Sequence, residues 1–217
     1  MQPCVPPPEM IEPIVLTPIS SPRWATARAR LGPGAPEALA LLGDPALLES
    51  AHLTALFCSQ RAPASVLLQA HDLARGWRRG GPLLIGGFQS LVEREVLDAL
   101  LPGSQPLVLV RSRPVPQRWR PPPEQRAAWE AGRLLIVAPE RGGGWGRGAA
   151  TARNRLAAAL ADEALVLYAE PGGATWALTH ELLARGQPVY TLAGSWSAEL
   201  MEAGAREWGE ERGKSDG

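Results

Sequence analysis

The chain has 217 residues, 45% hydrophobic and 20% charged, a balance that supports a buried core and excludes a disordered polyelectrolyte. Its 22 basic and 22 acidic residues cancel, so attraction to nucleic acid through net charge is excluded and any anion site must be local. Two cysteines, Cys4 and Cys58, are too few for a zinc site or a disulfide framework, and the sequence shows no metal-ligand spacing among His52, His71 and His180. Met1 to Pro8 lacks a signal-peptide pattern and no apolar run reaches the length of a membrane span, so the expectation is a soluble, cytoplasmic protein without metal or cofactor.

In chain order, residues 1–22 are proline-rich and predict an extended arm, in which Ile14-Val15-Leu16 is a candidate sheet edge. Residues 23–50 read as two short helices around Gly32-Pro33-Gly34, with Leu39, Leu41 and Leu42 in the second. The arm and helical segment together make a first region, 1–50. Six short apolar runs follow: Leu53–Cys58, Pro82–Gly86, Leu107–Val110, Leu134–Val137, Ala164–Tyr168 and Pro188–Leu192. Helical stretches alternate with them, at 64–78, 91–101, 124–131, 150–161 and 175–185. Continuous apolar strands alternating with helices predict an α/β fold, with a doubly wound, mostly parallel Rossmann-like sheet covered by helices on both faces. This second region spans 51–205. A charged tail, 206–217, reads as a frayed helix end.

In such sheets ligands bind outside the carboxyl ends of the strands, so the loops after each run carry the functional argument. After the first run come Ser59, Gln60 and Arg61, a hydroxyl, an amide and a guanidinium before a helix start. That set suits a phosphate at a helix N-terminus, although capping by Ser59 or Ser65 with a solvated arginine accounts for the same residues. After the second run, Gly86, Gly87, Phe88, Gln89 and Ser90 offer close backbone approach, and Glu93 and Glu95 suit the following helix N-terminus. The loop 141–148 is the most glycine-rich in the chain and leads to Arg153, Asn154 and Arg155. The two arginines lie two residues apart and cannot share a helix face, so one can meet a ligand while the other pairs within the protein. Asn154 is the only asparagine in the chain. Gly172, Gly173 and Thr175 form a second candidate anion cradle, or a tight turn with a threonine cap, and Ala193-Gly194-Ser195 repeats the theme weakly. Of eight tryptophans, Trp145 and Trp176 fall near these loops, where they suit base stacking, with packing the simpler role for Trp176.

The order of these motifs resembles the DprA/Smf DNA-processing family over about residues 40 to 195. Ser59-Gln60-Arg61 is similar to that family's Gly-Ser-Arg phosphate loop, and Gly86 to Ser90 with Glu93 to its second glycine loop. Arg153-Asn154-Arg155 followed by Gly172-Gly173-Ala174-Thr175 resembles its Arg-Asn-Arg helix and glycine-threonine loop. The resemblance implies a Rossmann-type domain that binds single-stranded DNA, forms a homodimer and has a recombinase as partner in DNA processing during transformation. Cys58 stands where the family usually has glycine, and the Arg-Gly-Ile-Asp run of the second loop is missing. Pro171-Gly172-Gly173 also resembles the start of the signature of the nucleoside-monophosphate phosphoribohydrolases, a more distant family. Its glutamate position is Thr179 here, and Glu181 lies two residues further, turned by roughly 200° around a helix. Single-stranded DNA or nucleotide binding is therefore the leading expectation. A phosphoribohydrolase-like enzyme using Glu93 or Glu181, and a nucleotide sensor without catalysis, are the alternatives.

Overall fold

The computed structural model describes residues 13–49, 52–116, 118–142 and 147–209. Its centre is a nine-stranded sheet with the order β1-β2-β6-β5-β4-β3-β7-β8-β9. The strands are β1 (Ile14–Leu16), β2 (Leu39–Leu42), β3 (Leu53–Cys58), β4 (Leu83–Gly86), β5 (Leu107–Val110), β6 (Leu134–Pro139), β7 (Glu163–Tyr168), β8 (Val189–Thr191) and β9 (Arg206–Glu207). From β6 to β9 every pairing is parallel. The helices are α1 (Pro22–Leu31), α2 (Ala46–Glu49), α3 (Ala64–Trp77), α4 (Leu91–Leu100), α5 (Pro123–Glu130), α6 (Arg147–Leu160), α7 (Ala174–Ala184) and α8 (Ala198–Glu202).

The continuous apolar runs become strands buried on both sides, as crossover helices require. In β3, Leu53, Ala55 and Phe57 face one core, and Leu56 and Cys58 face the other. This is the two-residue alternation of a strand. Trp24 and Ala27 of α1, Leu156 and Leu160 of α6 and Leu178 and Leu182 of α7 fill the first core. Val66 and Ala70 of α3, Val96 and Leu100 of α4 and Ala128 of α5 fill the second. The doubly wound α/β expectation therefore holds, with helices on both faces.

Two local expectations need correction. Leu39–Leu42 is a fully buried strand, not part of a helix. It runs antiparallel beside β6, in the register Leu39 to Pro139 and Leu42 to Ile136. A four-residue apolar run carries no period that separates helix from strand, so only the free edge of β6 decides it. The charged stretch at 206–207 is also a strand, β9, paired with β8 at Tyr190 and Arg206. Trp208 secures it by packing edge-on against Trp77 at 5.8 Å and Tyr190 at 5.5 Å. Ile14–Leu16 pairs antiparallel with β2 at the opposite edge, as expected.

The chain adds β4, β5 and β6 outward from β3 in one direction, then returns to place β7 on the other side of β3. The order reverses between β3 and β7, which makes the carboxyl ends of these two strands the topological switch point, a place where doubly wound sheets bind ligands. The proline arm up to residue 12, Cys4, residues 143–146 with Trp145, and the tail from 210 lie outside the described residues. Among the described residues no helix is long and apolar enough to cross a membrane.

Candidate functional site

At the switch point the loops after β3 and β7 are tied to each other. Ser59 Oγ accepts the Glu170 amide N–H at 2.9 Å, and the Ser59 amide donates to the Tyr168 carbonyl at 2.9 Å. Arg61 donates to Glu170 Oε1 at 2.7 Å. Ser59 therefore neither caps α3, whose first flanking residue is Pro63 with no side-chain cap, nor presents a free hydroxyl. Gln60 is exposed beside it. Gly172 has φ 72°, the left-handed conformation that glycine adopts without steric cost. Gly173 caps α7, while Thr175 is buried in the first turn and makes no capping bond.

The glycine loop after β4 closes around its own carboxylate. Glu93 is buried, and its two oxygens accept the amide N–H groups of Cys58 at 2.8 Å, Gln89 at 2.7 Å and Ser90 at 3.1 Å. Ser90 Oγ accepts the Glu93 amide in return, which completes a capping box at the start of α4. The turn puts Phe88 at φ 49°, a left-handed conformation unusual for a bulky residue, with its ring buried. The Gln89 and Ser90 amides that suit a phosphate are thus engaged with a glutamate. Cys58 lies against this carboxylate, and burial and the Glu93 charge push its thiol pKa up to about 12. Glu181, the other candidate catalytic carboxylate, accepts two bonds from Arg155, at 2.8 and 3.0 Å.

Arg153 links this loop to a concavity on the neighbouring strands. Its guanidinium lies against Gly87, so close that a β-carbon there would fall 2.0 Å from Nε. Nε and one terminal nitrogen donate to Asn154 Oδ1, at 3.2 and 2.9 Å, which gives the lone asparagine the task of orienting the arginine. Burial lowers the Arg153 pKa, and the Glu93 charge partly restores it. Arg153 and Arg155 diverge as their spacing demands: Arg155 pairs with α7, and Arg153 turns to the β4 loop.

The concavity is a cleft of about 550 Å³ at the carboxyl ends of β5 and β6. Leu31 at the end of α1, with Ala35 and Pro36 beyond it, lines the cleft together with Gly148, Thr151 and Leu156 of α6. Arg111, Arg141, Arg153 and Arg155 enter it, and none of its described lining residues is acidic. A second cavity of about 320 Å³ adjoins it, lined by Gln89, Leu109, Val110 and Arg113, and shares Arg111, Ser112 and Arg153 with it. Volumes in this range suit small-molecule and nucleotide ligands.

Sequence reasoning passed over Arg111. It follows β5 directly, and its amide extends the β5–β6 ladder to Val137 at 2.8 Å. Its guanidinium stands 5.9 Å from the Trp119 ring centroid. Burial and neighbouring Arg113 lower its pKa, and its Nε is buried without a hydrogen-bond partner among the described residues. A cation held in this way gains from an incoming anion. The signal was its place one residue past a predicted strand, where its loop has neither glycine nor a known motif.

No family model and no curated protein matches the sequence. Among solved structures, the chain is similar to DNA processing protein A from Helicobacter pylori, described for its single-stranded DNA binding mode, with 21% identity and TM-score 0.63 over 80% of this chain and 82% of that one. It is also similar to DNA processing protein A (DprA) from Streptococcus pneumoniae, with 18% identity and TM-score 0.63 over 80% of this chain. The match spans 63% of the length of the pneumococcal protein. A molybdenum cofactor carrier protein from Chlamydomonas reinhardtii matches at TM-score 0.48 and 18% identity, over 72% of this chain and 88% of that one. The motif order in the sequence and the sheet in the structure point the same way: this chain resembles the DprA proteins and has their Rossmann-like fold.

Proposed function

We propose that the chain is a DprA-like protein that binds single-stranded DNA or a nucleotide, with ligand phosphate held between Arg111 and Arg153. The observation that carries this reading is the cleft itself: four arginines enter it, two of them are partly desolvated, and no described lining residue is acidic. The first turns of α6, through Gly148, Thr151 and Ala152, line the same cleft, and the positive end of a helix dipole favours an anion there. Gly87 and Asn154 position Arg153, and Gln89 borders the adjoining cavity. Ser59, Gln60, Arg61, Gly172, Gly173 and Thr175 enter the proposal as a second anion surface, available when Glu170 releases Arg61. The family resemblance alone supports a homodimer, a recombinase partner, a role in transformation and a cytoplasmic location.

The test is fluorescence anisotropy of a labelled oligothymidylate across a salt series, with wild type and Arg153→Ala. The reading expects affinity that falls with salt, by a logarithmic slope of about −0.7 for each phosphate neutralised, and a shallower slope in the variant. Binding that ignores both salt and the substitution contradicts it.

A further inference from the structure

We infer that the two adjoining cavities seat two successive nucleotides of one DNA strand, with the linking phosphodiester between Arg111 and Arg153; this rests on the reading of the cleft as a nucleic-acid site. The two cavities have different chemistry. The larger is walled by Leu31, Ala35, Pro36, Pro139 and Leu156, which suit the flat apolar face of a base. The smaller is lined by Gln89, Ser112 and Arg113, which suit the polar edge of a nucleotide or the next phosphate. Only Arg111, Ser112 and Arg153 line both. The shared wall is therefore cationic and hydrogen-bonding, and the two ends are not alike.

A free mononucleotide fills one cavity and leaves the other to water. A dinucleotide unit fills both and puts its single internal phosphate against the two partly desolvated guanidinium groups that line both cavities. The site thus selects a strand over a free nucleotide by geometry, although the free nucleotide carries more charge per phosphate. Gly148 offers a clean way to close the larger cavity, because a β-carbon there meets nothing within 4 Å. A side chain at this helical position also improves helix propensity.

The experiment displaces labelled oligothymidylate from the full chain with thymidylyl-thymidine, dTMP or inorganic phosphate, and repeats the direct binding with Gly148→Leu. The dinucleoside monophosphate is expected to compete ~tenfold better than dTMP, and Gly148→Leu to weaken oligonucleotide binding ~tenfold with an unchanged or raised thermal midpoint. Equal or better competition by dTMP overturns the two-cavity inference, as does full oligonucleotide affinity in Gly148→Leu. Either result, obtained while binding still depends on salt and Arg153, leaves the nucleic-acid reading standing. Absence of oligonucleotide binding in the wild type removes both.

Discussion

The Arg153 guanidinium occupies the space that a β-carbon at Gly87 would fill, since an added carbon would lie 2.0 Å from Nε and 2.5 Å from Cζ. Gly87 is therefore required for what stands over it and not for its own backbone angles. Gly87→Ala displaces the far end of a long side chain, which costs little stability but takes Arg153 out of the cleft. The expected outcome is ~tenfold weaker oligonucleotide binding with a thermal midpoint close to wild type, read by anisotropy and calorimetry. Unchanged affinity would show that Arg153 is not the phosphate contact.

Arg111 carries a matching expectation. Arg111→Ala removes a cation without a described hydrogen-bond partner at Nε, so the fold loses little. Oligonucleotide affinity should drop and the logarithmic salt slope should become shallower by about 0.7, one single-strand phosphate contact. A slope equal to that of wild type would place the phosphates elsewhere.

Glu93 is a structural carboxylate in this arrangement. It satisfies three amides, one at the end of β3 and two in the loop after β4, at Cys58, Gln89 and Ser90. Glu93→Gln retains the shape but turns a donor group toward donors, and the expected loss is about 2 kcal/mol of stability in urea unfolding. A loss near zero would mean that water replaces the carboxylate without penalty.

Cys58 should be chemically silent in the folded protein. Burial and the nearby Glu93 charge raise its pKa from 9.0 to about 12, so at pH 8 its thiolate is about a thousandfold scarcer than for an ordinary cysteine. In a Cys4→Ser variant, a disulfide reagent at pH 8 should react only after urea unfolds the chain. The sign extends to stability: the unfolded thiol ionises above about pH 9 and the folded one does not, so stability declines between pH 9 and 12. Rapid labelling without denaturant would contradict the burial.

Asp162 acts in the opposite pH range, at the amino end of the sheet. Burial works against its charge, but the Leu53 amide, the Arg23 guanidinium and His52 hold its pKa below the usual carboxylate range. Its folded pKa is depressed, so its contribution is present above the unfolded value and disappears as pH falls through the folded one. Asp162→Asn should lower the thermal midpoint at pH 7, with the gap to wild type narrowing below about pH 4. A gap independent of pH would remove the charge from the explanation.

The sequence by itself determined the α/β class and the places of the six central strands, because unbroken apolar runs between helical stretches satisfy only a sheet covered on both faces. It also marked the loops after β3, β4 and β7 and the Arg153–Arg155 pair, since two-residue spacing forces two helix faces apart. It did not determine the partners of those residues. The capping reading of Ser59 and the purely solvated reading of Arg61 gave way to contacts with Glu170 across 111 and 109 residues of chain, while the open cradle at Gln89 and Ser90 gave way to nearby Glu93, whose other oxygen reaches Cys58 across 35 residues. Leu39–Leu42 became a strand because β6 left an edge to cover. Arg111 entered the site because β5 ends where the cleft begins. Local pattern reports burial and periodicity, whereas hydrogen-bond partners and the charge around an arginine depend on which loops the strand order brings together, and only the tertiary structure decides that.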